Sequence, residues 1–281
     1  MSRPSRVVGL DGPASSVCVG ATHACALLTT GQVECWGTNL FGLLGDGTTV
    51  SRTKAARVRD VDNAKEIVCS NGHTCARLGD GSVACWGINT NGQLGDGTRD
   101  DRLAPVHPKL EPVIALAAGV GFTCAIARDG RVWCWGYQAG PGDVDLDTPT
   151  IIAGIRGATA ITAFRHRTCV RAADATVTCW SDAAHPAPVP MLGGNDIRAF
   201  NAACAAHATG EIRCDETQLV PIPGDPTEPV HLPGVTTFVT SGLTTCALAL
   251  DALWCWGRNR RGEVGDGTTE RRTEPTRVEH P

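Results

Sequence analysis

His73-Thr-Cys-Ala-Arg-Leu-Gly-Asp-Gly-Ser-Val-Ala-Cys-Trp-Gly87 is the stretch that decides the fold. Set Cys75 opposite Cys85 and pair the residues inward. Leu78 then meets Ser82, and Gly79-Asp80-Gly81 remains as a three-residue turn. Such a turn needs a left-handed residue at its third place, and Gly adopts that conformation without steric cost. The stretch therefore reads as a β-hairpin. Its period of two puts Val83 and Cys85 on one face, with Ala84 and Trp86 on the other.

Outward from this hairpin the pattern recurs. His23-Ala-Cys-Ala-Leu, Phe122-Thr-Cys-Ala-Ile and Thr244-Thr-Cys-Ala-Leu match its first strand, and Cys35-Trp-Gly, Cys134-Trp-Gly and Cys255-Trp-Gly match its second. Six cysteine pairs result: Cys25/Cys35, Cys75/Cys85, Cys124/Cys134, Cys169/Cys179, Cys204/Cys214 and Cys246/Cys255. Their second members follow one another at 50, 49, 45, 35 and 41 residues. Periods of this size belong to solenoids, propellers and arrays. Inward pairing leaves Thr29-Thr30-Gly31, Arg128-Asp129-Gly130 and Ala208-Thr209-Gly210 as further turns ending in Gly. The fourth unit departs with Ala173-Asp174-Ala175, and the sixth with the two-residue turn Leu250-Asp251. These two turns are expected to be the most irregular.

After three of the hairpins comes a second motif. Asn39-Leu-Phe-Gly-Leu-Leu-Gly-Asp-Gly-Thr is matched by Asn89-Thr-Asn-Gly-Gln-Leu-Gly-Asp-Gly-Thr and Asn259-Arg-Arg-Gly-Glu-Val-Gly-Asp-Gly-Thr. A polar or basic stretch and a short Pro/Val segment lead to the next unit. Unit two is thus read as strands at Glu66–Ser70, His73–Leu78, Ser82–Gly87 and near Ala104–Leu110. Four short strands per unit fit a propeller blade, with the Trp positions packed between blades.

The bulk numbers agree. The chain has 281 residues, 42% hydrophobic and 19% charged, with 33 Gly and 17 Pro. That composition favours a folded core built from short strands and turns. Seven of the thirteen aromatic residues are Trp, a skew expected when one repeat position calls for it. Net charge is −4, which gives no nucleic-acid footprint. The longest apolar run, Val113 to Ala127, is too short to span a bilayer as a helix.

The His-x-Cys-Ala-Leu strand, the turn Gly, the Cys-Trp-Gly strand and Asn-x-x-Gly-x-Leu-Gly-Asp-Gly-Thr together resemble the regulator of chromosome condensation repeat family. The resemblance is strongest in units one, two and six. It is weakest in units four and five, where Cys179-Trp180-Ser181 and Cys214-Asp215 break the motif. It implies an all-β propeller, commonly seven-bladed. Six hairpins here imply six four-stranded blades, or seven if one is too degraded to recognise, with blades four and five degenerate. Residues 1–281 are read as one domain. Strand candidates at Arg6–Leu10 and Pro275–Glu279 suggest that one terminus completes the other's blade and that the start is truncated relative to a longer product.

Family members can carry simple packing residues at the paired cysteine positions. Here every unit has both cysteines, and directly opposed strand positions have the separation a disulfide needs. Six hairpin disulfides are expected: Cys25–Cys35, Cys75–Cys85, Cys124–Cys134, Cys169–Cys179, Cys204–Cys214 and Cys246–Cys255. Each closes a short loop worth ~2–3 kcal/mol on the chain-entropy model. Cys18 and Cys69 fall outside the pattern and are read as buried free thiols. The ladder points to an extracellular, periplasmic or envelope location. The first nine residues contain no apolar run of the secretory type. A cytoplasmic location is the alternative.

No chemistry nominates itself. Closely spaced Cys-x-x-Cys zinc pairs are absent, and the Gly-Asp-Gly-Thr loops at Asp46, Asp96 and Asp266 lack the calcium-loop pattern. Each Asp is expected to hydrogen-bond its own turn. His23 and His73 are read as structural. The function expected is non-enzymatic protein binding by a monomeric scaffold without cofactors. The rivals are a guanine-nucleotide exchange factor for a small GTPase, as in the family's namesake, and an enzyme using the central channel. Binding is expected where charge breaks the repeat. One such place is the basic loop Arg258, Arg260 and Arg261. The other is the acidic loop of Tyr137, Asp143, Asp145 and Asp147, and both loops are expected on one face.

Overall fold

A computed structural model describes residues 7, 9–140, 144–181, 187–188, 196–201, 204–214, 230–240, 244–260 and 263–278. All regular structure among them is β. Six antiparallel sheets form, each from four consecutive strands hydrogen-bonded in chain order. The fold is a six-bladed β-propeller. The blades span Ala14–Arg57, Ala64–Val106, Val113–Ile151, Ala158–Pro188, Ile197–His231 and Val235–Arg277.

The chain divides into two compact units. One holds Val7–Ala173 and Thr178–Ala187, and so blades 1 to 3 and most of blade 4. The other holds Met1–Arg6, Asp174–Val177 and Pro188–Pro281, with blades 5 and 6.

Each blade is a meander because its turns are short. In blade 2 the strands are Ala64–Cys69, His73–Leu78, Val83–Gly87 and Arg102–Val106. Cys75 opposes Cys85 in register, and Gly81 closes the hairpin at φ 89°. Gly31, Gly130 and Gly210 adopt the same left-handed conformation in their blades. The two irregular turns keep this backbone with residues less suited to it. Ala175 stands at φ 68°, and Leu250 and Asp251 stand at 52° and 57°. Gly supplied the left-handed conformation elsewhere; here the flanking strand pairing enforces it.

In the larger unit the core lies between successive blades. Ala84 and Trp86 face blade 1, against Leu27, Val33, Leu44, Val58 and Val61. Val83 and Cys85 face blade 3, against Val113, Leu116, Ala125 and Trp135. Trp180 of blade 4 likewise joins Phe122, Ile126 and Ile152 of blade 3. The buried Trp86 indole donates to Leu43 O of the preceding blade at 3.1 Å. Gly45 lies under that ring, where a Cβ would come within 2.9 Å of it. Burying a large aromatic stabilises such an interface by several times the contribution of one hydrogen bond.

Three expectations are corrected. First, neither terminus lends a strand to the other's blade among the described residues. Blade 1 begins at Ala14, and Pro275 lies within the fourth strand of blade 6, Arg272–Arg277. Arg6 and Val8 of the first strand candidate lie outside the described residues. Second, the stretch after Trp135 is not an open loop. The third and fourth strands of blade 3 run Val132–Gly140 and Val144–Ile151, pairing as far as Gly140 with Val144. Third, Cys18 and Cys69 are not thiols. They are bonded to each other across blades 1 and 2, with a Cα separation of 5.3 Å. The first strands of the two blades meet there, and that proximity is invisible to a pattern confined to one blade.

Hairpin disulfides join Cys25–Cys35, Cys75–Cys85, Cys124–Cys134, Cys169–Cys179 and Cys246–Cys255, each at a Cα separation of 4.1 Å. Cys204 opposes Cys214 in the same register. The Cys214 side chain lies outside the described residues.

Candidate functional site

The loops between third and fourth strands in blades 1, 2 and 6 share one internal frame. In blade 1, Asn39 is fully buried. Its amide donates to Asp46 Oδ1 at 3.1 Å and Thr48 O at 3.0 Å, while its Oδ1 accepts Leu44 N at 2.9 Å. Asp46 Oδ1 also accepts the Thr48 amide and hydroxyl, and Arg52 donates Nε and Nη2 to Asp46 Oδ2. Asn89, Asp96, Thr98 and Arg102 repeat the arrangement in blade 2. Asn259, Asp266, Thr268 and Arg272 repeat it in blade 6.

This frame settles the chemistry of the three aspartates. Burial opposes their charge, but hydrogen bonds from Thr, Arg and Asn outweigh it and hold each carboxyl below the usual range. Asp266 is lowered to about 2. Their oxygens are occupied by protein donors, so these carboxylates hold turns and offer a cation no free ligand face. Sequence reading identified the Asp and missed the arginine six residues later. The available signal was the constant Asp-to-Arg spacing at 46/52, 96/102 and 266/272.

On this fixed frame the two residues after Asn vary: Leu40-Phe41, Thr90-Asn91 and Arg260-Arg261. Leu40 is 64% exposed and Phe41 46%, with Val50 of the same loop at 59%. Leu103 of blade 2, also exposed, lies beside them, its carbonyl accepting Gly47 N at 2.9 Å. The apolar character of this tip was not singled out in the sequence, where only charge was taken as a break in the repeat.

The expected binding residues fall as follows. Arg260 is exposed and Arg258 half-buried, with Arg258 O accepting the Thr244 hydroxyl at 2.8 Å. Arg261 lies outside the described residues, as does Asp143. In blade 3, Asp145 accepts Gln138 N at 2.9 Å and Asn91 Nδ2 at 3.3 Å, with Arg99 at 3.6 Å. Asp147 O accepts Gly97 N at 2.9 Å. Asp145 and Asp147 thus brace the neighbouring blade 2 loop. Tyr137 is half-buried, its ring centroid 5.6 Å from that of His166. The cleft beside them, reaching Thr168 and Ser181, has room for about 10 Å³, roughly one water.

The two histidines join blades. His23 Nε2 lies 2.8 Å from Thr74 Oγ1, and His73 Nε2 lies 2.9 Å from Thr123 Oγ1. The Thr123 hydroxyl gives its own proton to Gln93 O, so it accepts from His73 and fixes the Nε2–H tautomer. Burial lowers His23 to about 4; burial, with repulsion from His23, lowers His73 to about 3.

The regulator of chromosome condensation (RCC1) repeat profile matches residues 80–126 and 251–281, and a second profile of that description matches 14–43 and 64–93. No curated protein sequence matches. Among solved structures, yeast RCC1 (Prp20) bound to Kap60 is similar at a TM-score of 0.76 and 18% identity, over 94% of this chain and 74% of that one. Prp20p of Saccharomyces cerevisiae, studied for binding to Gsp1p and histones, gives 0.74 and 17%, over 94% and 76%. The receptor kinase CR4 ectodomain of Physcomitrella patens gives 0.58 and 21%, over 87% and 61%. At such identities the likeness is one of fold. The repeat profiles and the shared loop frame agree: the chain carries regulator of chromosome condensation repeats, over residues 14–43, 64–126 and 251–281, on a six-bladed propeller fold.

Proposed function

We propose that this propeller is a non-enzymatic protein-binding scaffold of an oxidising compartment, acting as a single domain. It meets its partner with the loop tips that follow the third strands. One observation carries the reading: an identical hydrogen-bonded frame presents exposed residues that differ from blade to blade. Loops held by a rigid scaffold are where binding residues concentrate. In blade 1 the contacts are the apolar Leu40, Phe41 and Val50; in blade 6 they are the basic Arg258, Arg260 and Arg261. Buried apolar contacts and arginine are each typical of protein interfaces. Cytosolic nucleotide exchange is less well supported, because the cysteine pairs are oxidised and the likeness to Prp20 is one of fold.

The test uses immobilised oxidised protein and extracts of the secreted and envelope fractions of its host. Three variants are compared with wild type: Leu40→Ser/Phe41→Ser, Arg258→Ala/Arg260→Ala/Arg261→Ala, and Thr29→Ser/Thr30→Ser at the opposite end of blade 1. The proposal expects a protein retained by wild type and by the threonine variant, and lost with one of the loop variants. Equal retention by all four removes the loop tips from the interface. Disulfide mapping of the same preparation should recover all six hairpin links, Cys204–Cys214 included. Free thiols at these positions would remove the oxidising compartment.

A further inference from the structure

Three cysteine sulfurs meet where the first strands of blades 1 and 2 come together. Cys18 and Cys69 are disulfide-bonded. The sulfur of Cys25 lies within 4.8 Å of both, and Cys25 is itself bonded to Cys35. The register puts these groups in a row: Cys18 directly opposes Cys25, and Cys25 directly opposes Cys35. All three therefore project from one face of blade 1. Access differs along the row. Cys25 and Cys35 are fully buried, whereas Cys18 and Cys69 are half-buried. Blade 2 supplies a contrast. There Val68 opposes Cys75, so the Cys75–Cys85 bond has no third sulfur opposite it.

We propose that Cys18–Cys69 is the redox-active site of this protein, that its reactant is a dithiol, and that it opens the buried Cys25–Cys35 bond by exchange. One thiolate of the dithiol attacks Cys69 Sγ, and Cys18 leaves as thiolate. The second thiol of the reductant resolves the mixed disulfide and releases Cys69. Two electrons and two protons pass to the protein, and the dithiol leaves as its disulfide. The Cys18 thiolate then attacks Cys25 Sγ. The Cys25–Cys35 bond breaks as Cys18–Cys25 forms, and Cys35 leaves as thiolate and takes up the proton that Cys18 gave. This second step moves no net electrons. The product holds Cys18–Cys25 with thiols at Cys35 and Cys69. A link between blades has become a link within blade 1.

Thiolate exchange depends on access and on proximity of the attacked sulfur, and both favour this order. The experiment treats the native oxidised protein with one equivalent of dithiothreitol, quenches with an alkylating agent and maps thiols and disulfides by mass spectrometry. The expected result is label on Cys35 and Cys69, a Cys18–Cys25 link, and an intact Cys75–Cys85. In a Cys18→Ser/Cys69→Ser variant, Cys35 should be labelled about tenfold more slowly, at the rate of Cys85. A Cys69→Ser variant leaves Cys18 free beside Cys25, and Cys35 should then be labelled without any reductant. Label confined to Cys18 and Cys69, with Cys25–Cys35 retained, overturns the exchange step. Simultaneous opening of all the hairpin disulfides overturns the site as the point of entry.

Discussion

At the scale of single residues, the buried histidines make stability depend on pH. In the unfolded chain a histidine titrates near its ordinary value of about 6.5. In the fold His23 does so at about 4 and His73 at about 3. Between these limits the unfolded state binds more protons, so stability is full above about pH 6.5 and falls as pH drops. The expected slope is up to ~1.4 kcal/mol per pH unit for each histidine. Urea midpoints at pH 7 and pH 5 should differ accordingly, and His73→Gln should reduce the difference. An unchanged midpoint in wild type would contradict the neutral, buried imidazoles. The turn of blade 6 gives a second prediction. Leu250 and Asp251 are both left-handed and exposed, a backbone that suits Asn-Gly. Leu250→Asn with Asp251→Gly should stabilise by about 1 kcal/mol or more, seen as a higher urea midpoint. Ala175→Gly should be close to neutral, because relief of φ strain is offset by loss of a buried methyl group.

At the scale of elements, the loop frame is the unit whose failure should be visible. Asp266 is held at about 2 by donors that need its charge. Its contribution is present above the ordinary carboxyl range and lost as pH falls from about 3.8 towards 2. Asp266→Asn keeps the shape but loses the ion pair with Arg272. It should raise proteolytic cleavage between residues 260 and 272 and flatten the acid dependence there; unchanged cleavage would make the ion pair incidental. Blade 5 gives a different prediction. Its first three strands have four residues each and its fourth has two, against six, six, five and five in blade 2. Fewer ladder bonds should make amides of Cys204–His207 exchange faster than those of His73–Leu78. Equal protection in the two strands would sink this.

At the scale of the whole molecule, the sequence was legible wherever one blade repeats itself. The Gly-ended turns, the opposed cysteines and the division of Val83 and Cys85 from Ala84 and Trp86 all follow from local pairing and a period of two. Between blades only the packing of the Trp positions was legible, and the residue-to-residue contacts were not. Cys18 opposes Cys25, while Cys69 opposes Thr74, one place out of step, so no alignment of repeats pairs Cys18 with Cys69. Their meeting depends on how adjacent first strands lie against each other. The hairpin of blade 3 was obscured for another reason. Gly140-Pro-Gly-Asp143 reads as loop chemistry, whereas Val144–Ile151 pairs with the preceding strand and meets the blade 2 loop through Asp145 and Asp147. Among the candidate contacts, charge was visible in the sequence and exposure was not, which is why Leu40 and Phe41 emerged only in three dimensions.

The Asn–Asp–Arg frame closes on itself within fourteen residues, from Asn39 to Arg52, and its two outward positions make no part of it. It is therefore a transplantable cassette. Exchanging Leu40-Phe41 with Arg260-Arg261 should leave the melting temperature nearly unchanged while moving the basic and apolar tips to each other's blades. An engineer could vary these dipeptides as a combinatorial library on a scaffold that never has to refold around them.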